Sequence, residues 1–434
     1  MSLIDSTSHS ASRWKQWAGL LARFLSGEMV IQVISFATGV FLFQHFTKSE
    51  AAYYNLANSM LGMMVLLSDN GIGAGIYAIG GKVWQDRRRF GELINTALQL
   101  RRTLTIITMV VIAPFTWWLL VHNGCSPTHA AMITLLVLIG THYQILGSIL
   151  GEVPKLHLQA VRFQKLNVWV ALIRLGLLGV AWLTWLSALT ALVANLLGSI
   201  FQTRVLKKWV PPLADPEAMP HGEDRRMMIG LMKRQLPSSI YFCLSGQVSL
   251  FLISITGNVS AVADVAALSA LSRIFSVVAA VLSTIILPRF SHLQKAGVIW
   301  VRYLQILGLF VVMGLGMCAV AAMFPHQLLF LVGKNYYHLE NEVLLMVGGS
   351  VLGVVSGSLF ALNTVRGWII SPWLHIPVSI STQALLIFLL PVNTVSGVLW
   401  LGLLSHIPAF AMNFWQTQHE VRKQRKAEAI NPLV

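Results

Sequence analysis

Charged residues are scarce in this chain, at 11% of the sequence against roughly 25% in an average soluble domain. With 56% of residues hydrophobic, a water-soluble core could not hide so much apolar surface, and much of it must face lipid. Cysteine is nearly missing as well. Cys125, Cys243 and Cys318 have no paired spacing, which excludes a disulfide framework and a cysteine zinc site. Cys243 and Cys318 lie inside apolar runs, where a cysteine acts as a small hydrophobe. The chain also lacks a nucleotide-binding P-loop, a zinc motif and a nucleophile elbow in a strand–turn–helix setting. No enzyme activity and no cofactor are expected. Acidic side chains are few, 16 against 31 lysines and arginines, for a net charge of +15. In a soluble protein that balance would suggest nucleic acid. Here the positive charge follows a membrane pattern instead, and no nucleic-acid partner is expected.

What is present is a series of long apolar runs. A helix needs about 20 apolar residues to cross the hydrocarbon core. Runs of that kind predict spans near 24–46, 52–79, 103–122, 130–151, 166–185, 187–206, 236–256, 262–288, 301–323, 342–365, 368–391 and 394–415. Only Leu186 and Ser187 separate the fifth from the sixth. No cleavable signal peptide is visible ahead of the first. Trp14, Trp17, Leu20, Leu21 and Phe24, with Arg13, Lys15 and Arg23, read as a short amphipathic helix on the inner surface. With the N-terminus inside, 27 of the 31 basic residues fall on cytoplasmic segments, Lys48 and Lys334 fall outside, and Arg174 and Arg273 fall within spans. The positive-inside rule then places both termini in the cytoplasm. The proline-bearing stretch 207–235 reads as a cytoplasmic linker between an N-terminal six-helix lobe, 1–206, and a C-terminal lobe with its tail, 236–434. The longest outer segment, about 324–341, leaves no large outer domain for catalysis.

A weak internal repeat supports two equivalent halves. Ala57, Ser59, Leu61 and Gly62 in the second span align at one offset with Ala267, Ser269, Leu271 and Ser272 in the eighth. Further segments carry a resemblance. These are Glu50-Ala-Ala-Tyr-Tyr-Asn-Leu-Ala-Asn-Ser59, Leu67-Ser-Asp-Asn-Gly-Ile-Gly73, Leu287-Pro-Arg-Phe290, Leu331-Val-Gly-Lys-Asn-Tyr-Tyr337 and Val395-Ser-Gly-Val-Leu-Trp-Leu-Gly402. Together they resemble the polysaccharide transporters of the multidrug/oligosaccharidyl-lipid/polysaccharide exporter superfamily, and within it the bacterial flippases for lipid-linked O-antigen or capsule repeat units. The resemblance implies an all-α polytopic membrane protein of about twelve transmembrane helices, in two six-helix bundles related by a pseudo-twofold axis. It implies a cavity that opens alternately to each side of the inner membrane. In the seventh span this chain departs from wetter members, offering only Gln247 and several serines.

A charge near mid-bilayer costs about 2.5–3.5 kcal/mol on insertion scales, so the polar residues inside spans are the candidate sites. Arg174 and Arg273, one in each half, could bind the substrate's pyrophosphate, since guanidinium stays charged and forks onto phosphate oxygens. Each could equally be a structural arginine between helices. Ser269, Ser272, Arg273 and Ser276 share one helix face, which would line water or form a small-residue seam. Glu28 and Asp69 could form an inner gate or bind a coupling ion, or simply pair with nearby basic residues. His142, His375 and His406 fall within spans as proton shuttles or as buried histidines bonded to a neighbouring helix. The expected partners are a polyprenyl-pyrophosphate-linked oligosaccharide, membrane lipid and other polysaccharide-assembly proteins. Two alternatives remain beside the flippase: a cation-coupled drug or metabolite exporter on the same fold, and a non-transporting member of a glycan-synthesis complex.

Overall fold

The computed structural model describes residues 27–430 except Glu28, Asn70, Leu158, Asn258, Gly367, Ile369 and most of 273–294. The N-terminal amphipathic segment, Glu28 and Arg273 therefore lie outside the described residues. Among the described residues there is no strand. The helices, in order, are α1 (Met29–His45), α2 (Lys48–Asp69), α3 (Ile72–Val83), α4 (Arg87–His122), α5 (Pro127–Leu156), α6 (Ala160–Thr184), α7 (Ala188–Trp209), α8 (Gly222–Ser245), α9 (Val248–Thr256), α10 (Val259–Leu271), α11 (Ala296–Met323), α12 (Pro325–Val332), α13 (Glu340–Val365), α14 (Pro372–Leu389) and α15 (Val395–Ile430). A 3-10 turn, Lys334–Leu339, joins α12 to α13.

The protein is an all-α polytopic membrane protein. Eight of the described helices are long and apolar enough to cross a bilayer, and the end of α8 with α9, bent by 46°, would make a ninth if the pair forms one span. A helix stands at each of the twelve expected spans, the eighth being described only as far as Leu271 plus isolated residues beyond it. The large side chains left on the surface are apolar, such as Val110, Val111, Leu183 and Phe388. Exposed runs of that kind would aggregate in water and are at rest only against hydrocarbon.

Local chemistry explains the boundaries. Between the fifth and sixth spans the chain turns within 185–187, because Ser187 caps α7. Its hydroxyl accepts from Thr190 N at 3.3 Å, and Thr190 Oγ1 accepts from Ser187 N at 2.9 Å. The stretch expected as a linker is in large part helical. α7 runs to Trp209 and α8 begins at Gly222, leaving 210–221 as the connection. That connection is bound along one face of α4. Arg87 Nε donates to Pro211 O (2.9 Å), Asn95 Nδ2 to Ala218 O (2.7 Å), and His221 N to Thr96 Oγ1 (2.8 Å). Arg89 then grips buried Asp224 in the first turn of α8 with a two-pronged bond, at 2.6 and 2.7 Å. Carboxylates in a first turn also meet the positive end of the helix dipole.

The chain packs as two compact units. Unit 1 comprises Met1–Ala37, Ala57–Trp118 and Ser126–Ile240; unit 2 comprises Thr38–Leu56, Leu119–Cys125 and Tyr241–Val434. α2 and α4 each contribute to both. The core of unit 1 gathers Ile72, Ile76, Phe90, Leu93, Ile149 and Leu206. That of unit 2 includes Phe290, Ile299, Tyr303, Leu359 and Leu362, stitched by a buried polar knot in which Asn363 Nδ2 donates to Asn413 O (2.9 Å) and Thr417 to Asn363 Oδ1 (2.6 Å). The repeat seen in the sequence extends to packing. Ala57 and Ala267 are both wholly buried, Leu61 and Leu271 nearly so, and Ser59 and Ser269 are intermediate.

Candidate functional site

α2 does not continue directly into α3. Gly71 adopts a left-handed conformation (φ 85°) at the N-cap of α3, which a residue without Cβ enters at little cost. Asp69 ends α2 at this break, and its Oδ1 accepts from Gly73 N at 3.3 Å, serving one of the orphan amides of α3. The same oxygen lies 2.8 Å from Arg101 Nη2 on α4. Arg101 is 5% exposed and Asp69 45%, so the pair joins a buried cation to a carboxylate that water can still reach. From Arg101 to His122 at the far end of α4 is roughly 30 Å at about 1.5 Å per residue, one hydrocarbon thickness.

Around this pair the polar groups of four helices converge. Arg101 also feels the charge of Glu152 on α5. Tyr77 on α3 donates its hydroxyl to Glu152, whose other oxygen lies 3.0 Å from Lys155 Nζ. Ser68 and Thr108 add a hydroxyl–hydroxyl bond between α2 and α4 at 3.0 Å. Two carboxylates and two cations thus gather beside the break between α2 and α3.

Of the four residues singled out from the sequence, Asp69 stands in this cluster. Arg174 stands elsewhere, in the seam between α6 and α7. Its Nη2 donates to Ser199 Oγ (3.1 Å), and its side chain lies over Gly198, where a Cβ would come within 2.7 Å of Nε. Glu28 and Arg273 are outside the described residues, and Asp69 and Arg174 have separate partners. Sequence reasoning passed over Arg101, Tyr77 and Glu152 as functional groups. Arg101 was counted only as a marker of the basic side, although its place one bilayer thickness into α4 matches that of Asp69 at the far end of α2. The third carboxylate set among the apolar spans, Asp264, is also paired, with Lys48 at 3.0 Å and His338 at 3.1 Å.

The fold is like that of solved transporters of the MOP superfamily. An inward-facing multidrug resistance MATE family transporter of that superfamily superposes with a TM-score of 0.69 at 13% identity, over 94% of this chain and 99% of the other. Its outward-facing counterpart gives 0.65 at 15% identity, over 94% and 95%. A MOP superfamily transporter from Pyrococcus furiosus, described by a reverse polarity of its binding pocket that suggests a different function, gives 0.56 at 14% identity, over 94% and 95%. At these identities the likeness is one of fold. No protein family matches the chain by sequence, and no curated protein matches it either.

Proposed function

We propose that the protein is a non-enzymatic transporter working by alternating access, and that it flips lipid-linked oligosaccharide repeat units across the bacterial cytoplasmic membrane for surface polysaccharide synthesis. The fold supports the transport reading, and charge sign supports the substrate. Asp69, Glu152 and Asp264, three of the carboxylates at or inside the ends of spans, each sit against a lysine or arginine. An exporter of cationic drugs would need a carboxylate left over for its cargo. A carrier lipid bearing a pyrophosphate needs the opposite: an arginine to fork onto phosphate, and a basic rim to attract it. Both termini and the basic segments are assigned to the cytoplasm on the charge count.

Within this reading the phosphate contact is given to Arg273. Arg174, already bonded to Ser199, braces the α6–α7 seam. Asp69 is assigned the inner gate and its coupling ion. The test reconstitutes the chain in vesicles with a polyprenyl-pyrophosphate-linked oligosaccharide and follows sugar reaching the opposite leaflet with an impermeant lectin. Arg273→Ala is expected to cut translocation at least tenfold, the loss of about 1.4 kcal/mol or more of a charge-assisted contact, while leaving melting in detergent unchanged. Arg174→Ala is expected to lower melting first. Wild-type translocation by a folded Arg273→Ala protein overturns the phosphate contact. Accumulation of a cationic dye with no oligosaccharide flipping would favour the second reading, a drug exporter, which the descriptions of the MATE structures suggest.

A further inference from the structure

α6 and α7 lie side by side within unit 1 and run in opposite directions. Three contacts fix their register. Arg174 Nη2 donates to Ser199 Oγ at 3.1 Å, Gln202 Nε2 donates to Asn167 Oδ1 at 2.7 Å, and the Arg162 guanidinium stands 4.1 Å over the Trp209 ring. The start of α6 and the end of α7 therefore meet at one edge. Behind that edge the outer faces carry exposed apolar side chains, Trp169, Leu172 and Val180 on α6 and Val193, Leu197 and Phe201 on α7. Faces of that kind belong against hydrocarbon.

Both faces change character at the edge. The three- and four-residue spacing that aligns Leu172 with Trp169 continues to Lys165 and Arg162, and that of Leu197 and Phe201 continues to Arg204 and Lys208, with Lys207 beside them. All five basic residues are exposed, and no aspartate or glutamate occurs between residues 160 and 209. Elsewhere in unit 1 several basic residues near span ends have counter-ions from the protein itself: Arg89 has Asp224, Arg101 has Asp69 and Lys155 has Glu152. Among the described residues, Lys165, Arg204, Lys207 and Lys208 have none. The helix dipole accounts for only part of this crowding. Lys207 and Lys208 in the last turn of α7 meet its negative end, but Arg162 and Lys165 stand near the positive end of α6, where a cation is disfavoured. Like charges on adjacent turns of two packed helices repel one another until an anion comes between them.

We propose that this edge binds the headgroup of an anionic phospholipid, whose acyl chains run along the apolar faces of α6 and α7. Arg162 is held in place by its stacking on Trp209, a side chain suited to the headgroup level of a bilayer. The lysines lay their stems along apolar surface while their ammonium groups reach for phosphate. A soluble anion would answer the charge and leave the apolar faces uncovered, whereas a phospholipid answers both. The ligand is a resident of the bilayer and not the cargo, so the inference rests on the membrane-spanning fold alone. Bound there, the lipid ties α6 to α7 at the end opposite their 185–187 turn, along the seam that Arg174 braces.

The test titrates the purified full-length protein in detergent with phosphatidylglycerol and, in parallel, with zwitterionic phosphatidylcholine, and counts bound lipid by native mass spectrometry. Phosphatidylglycerol is expected to bind at least tenfold more tightly. Lys165→Gln, Arg204→Gln, Lys207→Gln and Lys208→Gln together should weaken it at least tenfold and leave phosphatidylcholine unchanged. Lys165→Gln with Arg204→Gln, one from each helix, should fall between. The matched control changes Arg422, Lys423, Arg425 and Lys426 to Gln, removing the same charge from an exposed stretch of α15 in unit 2. It should leave both affinities within twofold of the parent. A quadruple edge variant that melts normally and binds phosphatidylglycerol like the parent overturns the proposal. So does an equal loss in the control, which would make the preference one of net charge. Displacement of phosphatidylglycerol by inorganic phosphate would assign the edge to a soluble anion, and preferential displacement by polyprenyl pyrophosphate would assign it to the cargo. Either result overturns a resident phospholipid.

Discussion

Asp69→Ala is expected to lower the stability of the detergent-solubilised protein by about 2 kcal/mol, less than the 3–5 kcal/mol of a fully buried pair because Asp69 is 45% exposed. Two losses contribute. Arg101, at 5% exposure, keeps its charge without its nearest counter-ion, and Gly73 N loses the acceptor that serves the first turn of α3. The two can be separated. Asp69→Asn keeps an oxygen for the amide but removes the charge, so it should lose the pairing and retain the cap. Arg101→Met in the Asp69→Ala background removes the stranded cation and should recover more than half of the loss, a coupling that a double-mutant cycle reads directly from apparent melting temperatures. Transport should behave differently from stability. If the ion pair holds the α2–α3 pivot in one of two positions, the double variant folds well but no longer switches, and translocation stays at least tenfold down. Stability and transport recovering together would show that the pair only cements the fold.

This contrast reflects what the sequence could and could not show. Apolar runs of about 20 residues are local signals, and among the described residues a helix meets each of them, even where Leu186 and Ser187 alone mark the turn. Pairing is not local. Nothing near Asp264 in the sequence points to its partners, because His338 lies 74 residues away and Lys48 lies in the other half of the sequence. For Arg174 the sequence left two roles open, a substrate contact and a structural arginine between helices. Nothing in its own neighbourhood reveals that Gly198 and Ser199 form a slot for it on the next helix. The stretch 207–235 looked like a linker for a related reason. Its prolines and mixed charges describe solvent exposure correctly, but α7 and α8 run beyond the apolar windows that marked their spans.

That same connection supplies the second large effect. Gly91 lies on the face of α4 that also presents Arg87 and Asn95, at the four-residue spacing that aligns side chains along a helix. Arg87 O accepts from Asp215 N at 3.0 Å, and Asn95 reaches the carbonyls of Pro216 and Ala218. The chain is drawn so close that a Cβ at Gly91 would stand 2.3 Å from Asp215 O and 2.7 Å from Asp215 N. Both are backbone atoms, which cannot rotate away as a side-chain tip would. Gly91→Val must therefore lift 210–221 off α4 or tilt the first turns of α4, and either movement pulls on the Arg89–Asp224 pair. The expected cost is about 3 kcal/mol, at the upper end for overpacking, with reduced yield and faster proteolysis within 210–221. Gly81→Ala is the matched control. No atom comes within 4 Å of its Cβ, and the better helix former should leave stability unchanged or raise it by up to about 1 kcal/mol. Equal melting temperatures for the two variants would mean that the connection does not rest on α4 in the membrane. The two halves of the sequence would then be joined by a free tether rather than by a strap fixed to α4.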